Sequence, residues 1–146
     1  MSYSLRPATD DDYHFLYALH CATIRDAVEA TWGWDDAFQE AYFRERWDPA
    51  ARQVVVVGGE DVGVLALEER DGNLFLALIE IAPPHQGRGL GTAIIRDLQE
   101  KARRQNRALA LHVLKANRAA RRLYQRLGFQ TVEEREERFV MRWEPG

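Results

Sequence analysis

The spacing of apolar and polar positions divides the chain into helical and strand-like stretches. Ser4 to Arg6 is short and extended ahead of Pro7. Three carboxylates, Asp10, Asp11 and Asp12, then precede apolar residues at helical intervals: Phe15, Leu16, Leu19, Ala22 and Ile24. Carboxylates are stabilised at the positive end of a helix dipole, so this pattern predicts a helix start, and the periodicity carries the helix to about Ala30. Trp32, Gly33, Trp34 and Asp35 interrupt it. Asp35 or Asp36 is placed to cap a second helix running to about Trp47, with Ala37, Phe38, Ala41 and Tyr42 at helical spacing.

From Gln53 the period changes to that of strands. Val54 to Val57 is β-branched, Gly58 and Gly59 supply a turn, Val62 to Leu67 resumes, and Asp71, Gly72 and Asn73 turn again into Leu74 to Ile81. This predicts an antiparallel meander. After a glycine-rich stretch, Ala93 to Arg104 reads as a helix with Ile94, Ile95, Leu98 and Ala102 inward. Ala108 to Leu114 follows as a strand, Asn117 to Leu127 as a helix closed by Gly128, and Phe129 to Trp143 as a final pair of strands. The order predicts an α/β fold with a mixed sheet, including a parallel crossover between the strands at Leu74 and Ala108. No repeat, low-complexity segment or long linker divides the 146 residues, so residues 1–146 are expected to form a single domain.

The segment from Ile81 to Thr92 carries the clearest chemistry. It places Gly87, Gly89 and Gly91 between a strand and the first turn of a helix. Glycines let backbone approach a ligand, and the unpaired N–H groups of a helix start favour an anion, above all a phosphate or pyrophosphate. A dinucleotide fingerprint would need glycine where Thr92 stands, and a P-loop would need a Gly-Lys-Ser/Thr triplet that this stretch lacks. What stands is Gln86-x-x-Gly89-x-Gly91. A second pattern comes after the next strand: Asn117-x-x-Ala120-x-x-Leu123-Tyr124-x-x-x-Gly128-Phe129. Together the two resemble the GNAT superfamily of acyl-CoA-dependent N-acetyltransferases, in element order from about Val54 to Trp143. That resemblance implies a mostly antiparallel central sheet of about seven strands flanked by about four helices.

It also implies a site. Backbone from Gly87, Arg88, Gly89, Leu90, Gly91 and Thr92 would bind the pyrophosphate of acetyl-CoA, behind Gln86. Pantetheine would pair like an added half-strand with the strand ending at Ile81, Ala82 and Pro83, where an N–H would stabilise the developing oxyanion. Asn117 would contact the pantetheine arm near Ala120 and cap its own helix. Tyr124 would sit by the sulfur as the acid that protonates the thiolate, since a phenol is protonated at neutral pH; the alternative is a core aromatic. The amine would attack directly in a ternary complex, without a covalent enzyme intermediate.

For the base, Glu80 and His112 are both candidates, and water is a third. Glu80 is a carboxylate in an apolar strand whose neighbours Ile79 and Ile81 point to the other face, and a solvated or ion-paired residue is the alternative. His112 lies on the strand predicted to run parallel to it and is equally readable as a structural hydrogen-bonder. Trp32, Trp34, Asp35 and Glu29, with Asp26, lie where similar proteins cover the acceptor; they are candidate substrate contacts, and the tryptophans are equally readable as core anchors. Arg25 is a candidate for a substrate carboxylate or a plain surface residue.

Composition narrows the partners. A single cysteine, Cys21, excludes an internal disulfide and a thiolate metal cluster, and no metal site is expected. No apolar run approaches the ~18 residues of a membrane helix, and the start has no signal-peptide pattern, so a cytoplasmic protein is expected. The net charge of −3 points to neither nucleic acid nor membrane. Its distribution is uneven: Pro83 to Gly128 holds 11 Lys and Arg against Asp97 and Glu100, whereas residues 1–82 hold 6 basic and 16 acidic side chains. The basic part is the one assigned to a polyanionic cofactor, where Arg88, Arg121 or Arg122 could pair with phosphate. The acidic part suits a cationic small-molecule or peptide amine. A non-catalytic acyl-CoA-binding module is the competing function, and a homodimer joined through the final strands is compatible with the implied fold.

Overall fold

The computed structural model describes residues 2–146. Over them the strands are β1 (Ser4–Pro7), β2 (Gln53–Val57), β3 (Glu60–Arg70), β4 (Asn73–Ile81), β5 (Leu109–Leu114), β6 (Gln130–Glu134) and β7 (Arg138–Trp143). The helices are α1 (Tyr13–Trp32), α2 (Asp36–Glu45), α3 (Leu90–Arg104) and α4 (Arg118–Arg126), with short 3-10 turns at Asp10–Asp12, Pro49–Ala51 and Pro83–His85. All strands join one sheet in the order β1-β2-β3-β4-β5-β7-β6. Every pairing is antiparallel except β4 with β5, which are connected through α3 and therefore run the same way. The mixed sheet of seven strands with four helices is the fold that the sequence predicts.

Adjacent residues of β2 divide between the two faces. Val55 packs with Leu65, Leu76, Leu111 and Met141 against Ile94, Ile95 and Leu98 of α3 and Tyr124 of α4. Val54 packs with Val64 under Leu16 and Leu19 of α1 and Phe43 of α2. Each such buried side chain contributes about 1.5–3 kcal/mol through area removed from water. The start of α1 is tied to the sheet by Arg6 of β1, whose guanidinium reaches Asp12 at 2.7 Å, while Asp12 also accepts from the Thr9 N–H at 2.8 Å. Arg6 holds the Asp12 carboxyl below the usual carboxylate range.

Several boundaries differ from the sequence reading, two of them at glycines. Helix α1 includes Trp32, because Gly33 at φ 84° ends it while its N–H still bonds the Glu29 carbonyl. Helix α3 begins at Leu90 rather than Ala93, because Gly89, at φ 82°, makes the turn within a single residue. Among the described residues no helix is long and apolar enough to cross a membrane.

Strand β4 carries a bulge near its middle. Leu78 pairs with Ala66 and Leu76 with Leu67, so Ala77 is an extra, exposed residue. The pairing of β4 with β5 stops at Leu76 opposite Leu111, although β4 continues to Ile81 and β5 to Leu114. The two strands therefore separate beyond the bulge and leave a cleft between them.

Candidate functional site

Three cavities lie in series around that separation. The first, about 620 Å³, runs along the glycine-rich loop and the start of α3, with Gln86, Gly87, Gly89, Leu90, Gly91 and Thr92 on one side and Asn117, Ala120 and Tyr124 on the other. The second lies between the diverging strands and shares Thr23, Ile79, Glu80, Asn117 and Tyr124 with the first. The third, about 710 Å³, is bounded by Trp32, Phe38 and Tyr42 and meets the second at Ile24 and Leu114.

The loop has the local chemistry of an anion cradle. Gly87 and Gly89 hold φ of 75° and 82°, a region that side-chain-bearing residues rarely adopt, and a methyl built on either meets no atom within 4 Å. No side chain caps the start of α3, so its first N–H groups are not claimed by one. Gln86 fixes the loop from behind by donating from Nε2 to the Ile81 carbonyl at 2.8 Å.

Ile81 also lines this first cavity, but Ala82, Pro83 and Arg88 do not. The Ala82 N–H is already bonded to the Val62 carbonyl at 2.8 Å, which removes it as a donor to a ligand. Of the cations expected near phosphate, Arg121 instead stacks on Phe139 at 3.8 Å and Arg122 is exposed outside the lining; the arginine that does line the cleft is Arg126. Asn117 caps α4 by accepting from the Ala120 N–H at 3.2 Å.

Trp32 and Asp35 line the aromatic pocket, whereas Trp34 and Glu29 are outside its lining. Trp34 donates to Asp36 at 2.7 Å and stacks under Arg25, whose guanidinium also faces Glu29 at 3.6 Å. Asp35 is committed to capping α2, accepting from the Phe38 N–H at 2.9 Å. The exposed faces of Trp32, Phe38 and Tyr42 form an apolar wall that includes two residues, Phe38 and Tyr42, absent from the expected set. Their signal in the sequence was the spacing along α2, which reads equally well as a core stripe.

Glu80, Tyr124 and His112 all line the middle cleft. The Glu80 side chain is only 5% exposed, and its Oε2 lies 2.6 Å from Nδ1 of His20 on α1. Its other oxygen is buried without a hydrogen-bond partner among the described residues. Tyr124 is buried, and loss of solvation pushes its phenol up to about 12, so the hydroxyl keeps its proton at any physiological pH. His112 sits edge-on to Phe75 with centroids 5.1 Å apart. Burial first, then Arg135, Arg138 and Arg70, lower its pKa and favour the neutral ring. His20 is a further site residue that sequence reasoning missed. Nothing local marks a lone histidine on an amphipathic helix, and its partner is 60 positions away.

Comparison with known proteins accords with this geometry. The profile described as "Acetyltransferase (GNAT) family" matches residues 14–129, and the chain belongs to that family. A PaiA N-acetyltransferase from Thermoplasma acidophilum, solved in complex with coenzyme A, superposes with a TM-score of 0.80 at 13% identity, covering 99% of both chains. The ribosomal-protein-S18-alanine N-acetyltransferase of Escherichia coli superposes at 0.68 with 18% identity, over 98% of this chain and 94% of that one. At such identities the likeness is one of fold. A search of curated protein sequences returns no match.

Proposed function

We propose that this protein is an N-acetyltransferase that moves the acetyl group of acetyl-CoA to a primary amine, by direct attack with both substrates bound. The observation that carries the reading is the series of three adjoining cavities that share lining residues: a glycine-rich anion cradle, a cleft with a phenol and a carboxylate, and an aromatic pocket. The residues fit acetyl-CoA in kind. Loop N–H groups from Gly87 to Thr92 and Arg126 bind its phosphates, and the edge of β4 that β5 leaves unpaired beyond Leu76 holds the extended arm. Bound acetyl-CoA supplies the activated acyl group. Tyr124 holds the proton for the departing thiolate, and amine deprotonation falls to a base at the middle cleft or to water.

The acceptor is an organic cation. The −10 balance of residues 1–82 attracts it, and the exposed rings of Trp32 and Phe38 suit an ammonium, whereas Tyr42 already carries the Arg46 guanidinium at 3.6 Å. Purified protein mixed with acetyl-CoA and a panel of polyamines, peptide N-termini and anionic amino acids, followed by thiol release, tests both parts. Turnover of the cationic amines is expected. Reaction of the anionic amino acids alone would overturn the acceptor assignment, and acetyl-CoA binding without turnover of any amine would make the chain an acyl-CoA-binding module.

A further inference from the structure

We propose that His20 is the base that takes the proton from the acceptor amine, with Glu80 behind it as the carboxylate that orients the imidazole and balances its charge. The inference rests on the acetyltransferase reading above. It begins from the placement of the pair: His20 lines the aromatic pocket, and Glu80 lines the cleft that holds Tyr124. One side chain meets the acceptor side and the other the acyl side of the same partition. The carboxylate end is closed at 5% exposure, and the ring end is open at 23%.

Hydrogen-bond chemistry then gives the ring its role. In the proposed arrangement the ring donates from Nδ1 to Glu80 Oε2 across the 2.6 Å contact, which leaves a lone pair on Nε2. When Nε2 takes a proton, the new positive charge forms beside a fixed and desolvated anion, which is where such a charge is most strongly stabilised. Among the described residues His20 is the side-chain partner of Glu80 Oε2, and Oε1 has no hydrogen-bond partner.

The surroundings favour His20 over His112. Arg52, in the turn before β2, interacts with Glu80, and Asp35 and Tyr42 of the α2 segment and Arg138 of β7 line the aromatic pocket with His20. Tyr17 and Cys21 lie on its own helix. Asp35 is spent on the α2 cap, and Arg138 lies 3.6 Å from Glu137. His112 has a different setting: Phe75 rather than a carboxylate meets its ring, and burial first, then Arg135, Arg138 and Arg70, lower its pKa.

The step balances with the two substrates alone. One ammonium proton passes to His20 Nε2, and the freed lone pair forms the N–C bond to the acetyl carbon. The C–S bond breaks, and the sulfur leaves with the proton of Tyr124. The second amine proton restores the Tyr124 hydroxyl, and the proton on His20 passes to water on the exposed side of the ring.

The test uses His20→Gln, Glu80→Gln and His20→Ala with the amine that the wild-type protein turns over best. His20→Gln is expected to lose about 100-fold in kcat/KM near neutral pH, with unchanged calorimetric affinity for acetyl-CoA. The acidic limb of the wild-type profile, which reports imidazole protonation, disappears in that variant, and added imidazole restores rate to His20→Ala. In the wild type, nitrogen NMR of labelled histidine finds the His20 proton on Nδ1, and Glu80→Gln redistributes it. An unchanged acidic limb and rate in His20→Gln would overturn the role of His20 while leaving the acetyltransferase reading intact. So would an equal loss at every pH with no rescue by imidazole, which marks a structural role. A wild-type protein that acetylates no amine overturns both readings together.

Discussion

Tyr124 shows how burial decides what a side chain can do. A phenol ordinarily titrates near ~10. Desolvation lifts this one to about 12, so the hydroxyl is an acid in hand throughout the working range and is lost only when the pH rises through that value. Tyr124→Phe is therefore expected to lower kcat by about 10- to 100-fold without changing the KM for acetyl-CoA. No alkaline limb below about pH 10 belongs to this group, so a limb in that range that vanishes in Tyr124→Phe would count against the assignment. Tyr124 could be proposed from the sequence because it sits in a local pattern with Asn117 and Gly128, and it does line the cleft. Arg126 and His20 could not. Which arginine of α4 faces the loop depends on how the helix is rolled against the sheet, and His20 gains its meaning only from Glu80 across the fold.

At the scale of elements, the bulge at Ala77 connects sequence to site. Counting by twos along β4 from Leu74 and Leu76 puts Leu78 and Glu80 on the α3 face. The extra residue reverses that count, so Leu78 packs with the α1 cluster and Glu80 meets His20, while Ile79 and Ile81 take the α3 face. The meander, the parallel crossover and the final strand pair were legible, because turns and periods are local, whereas the helix boundaries at Gly33 and Gly89 were read two and three residues off. The bulge was not, because it is defined by pairing with β3. Gly63 of β3 guards the arrangement: a methyl there would lie 2.5 Å from the Glu80 carbonyl and 3.0 Å from the Ile81 side chain. Both contacts are on β4, and the carbonyl cannot rotate away. Gly63→Ala is expected to cost about 1–3 kcal/mol in chemical denaturation and to lower kcat as β4 shifts at Glu80. Unchanged stability together with unchanged kcat would show that β4 yields freely, contrary to the close packing of Gly63 on it.

Over the whole molecule, the charge asymmetry acts in two ways that experiment can separate. The stretch from Pro83 to Gly128 carries a balance of +9, and that field extends over all of its arginines whether or not they touch a ligand. Contact is narrower: Arg126 lines the loop cleft, whereas Arg88 is exposed outside it. If direct pairing with phosphate dominates, Arg126→Glu weakens acetyl-CoA binding by about tenfold or more in calorimetry, as expected for loss of a charge-assisted hydrogen bond, while Arg88→Glu changes it little. The remaining field effect should fade between about 0.1 M and 1 M salt, as the screening length falls from about 10 Å to about 3 Å. At high salt the two variants should therefore still differ, since a contact pair is screened less than a distant one. Equal weakening by both substitutions, vanishing together in salt, would mean that the basic half gathers the polyanion by its field and that Arg126 holds no phosphate.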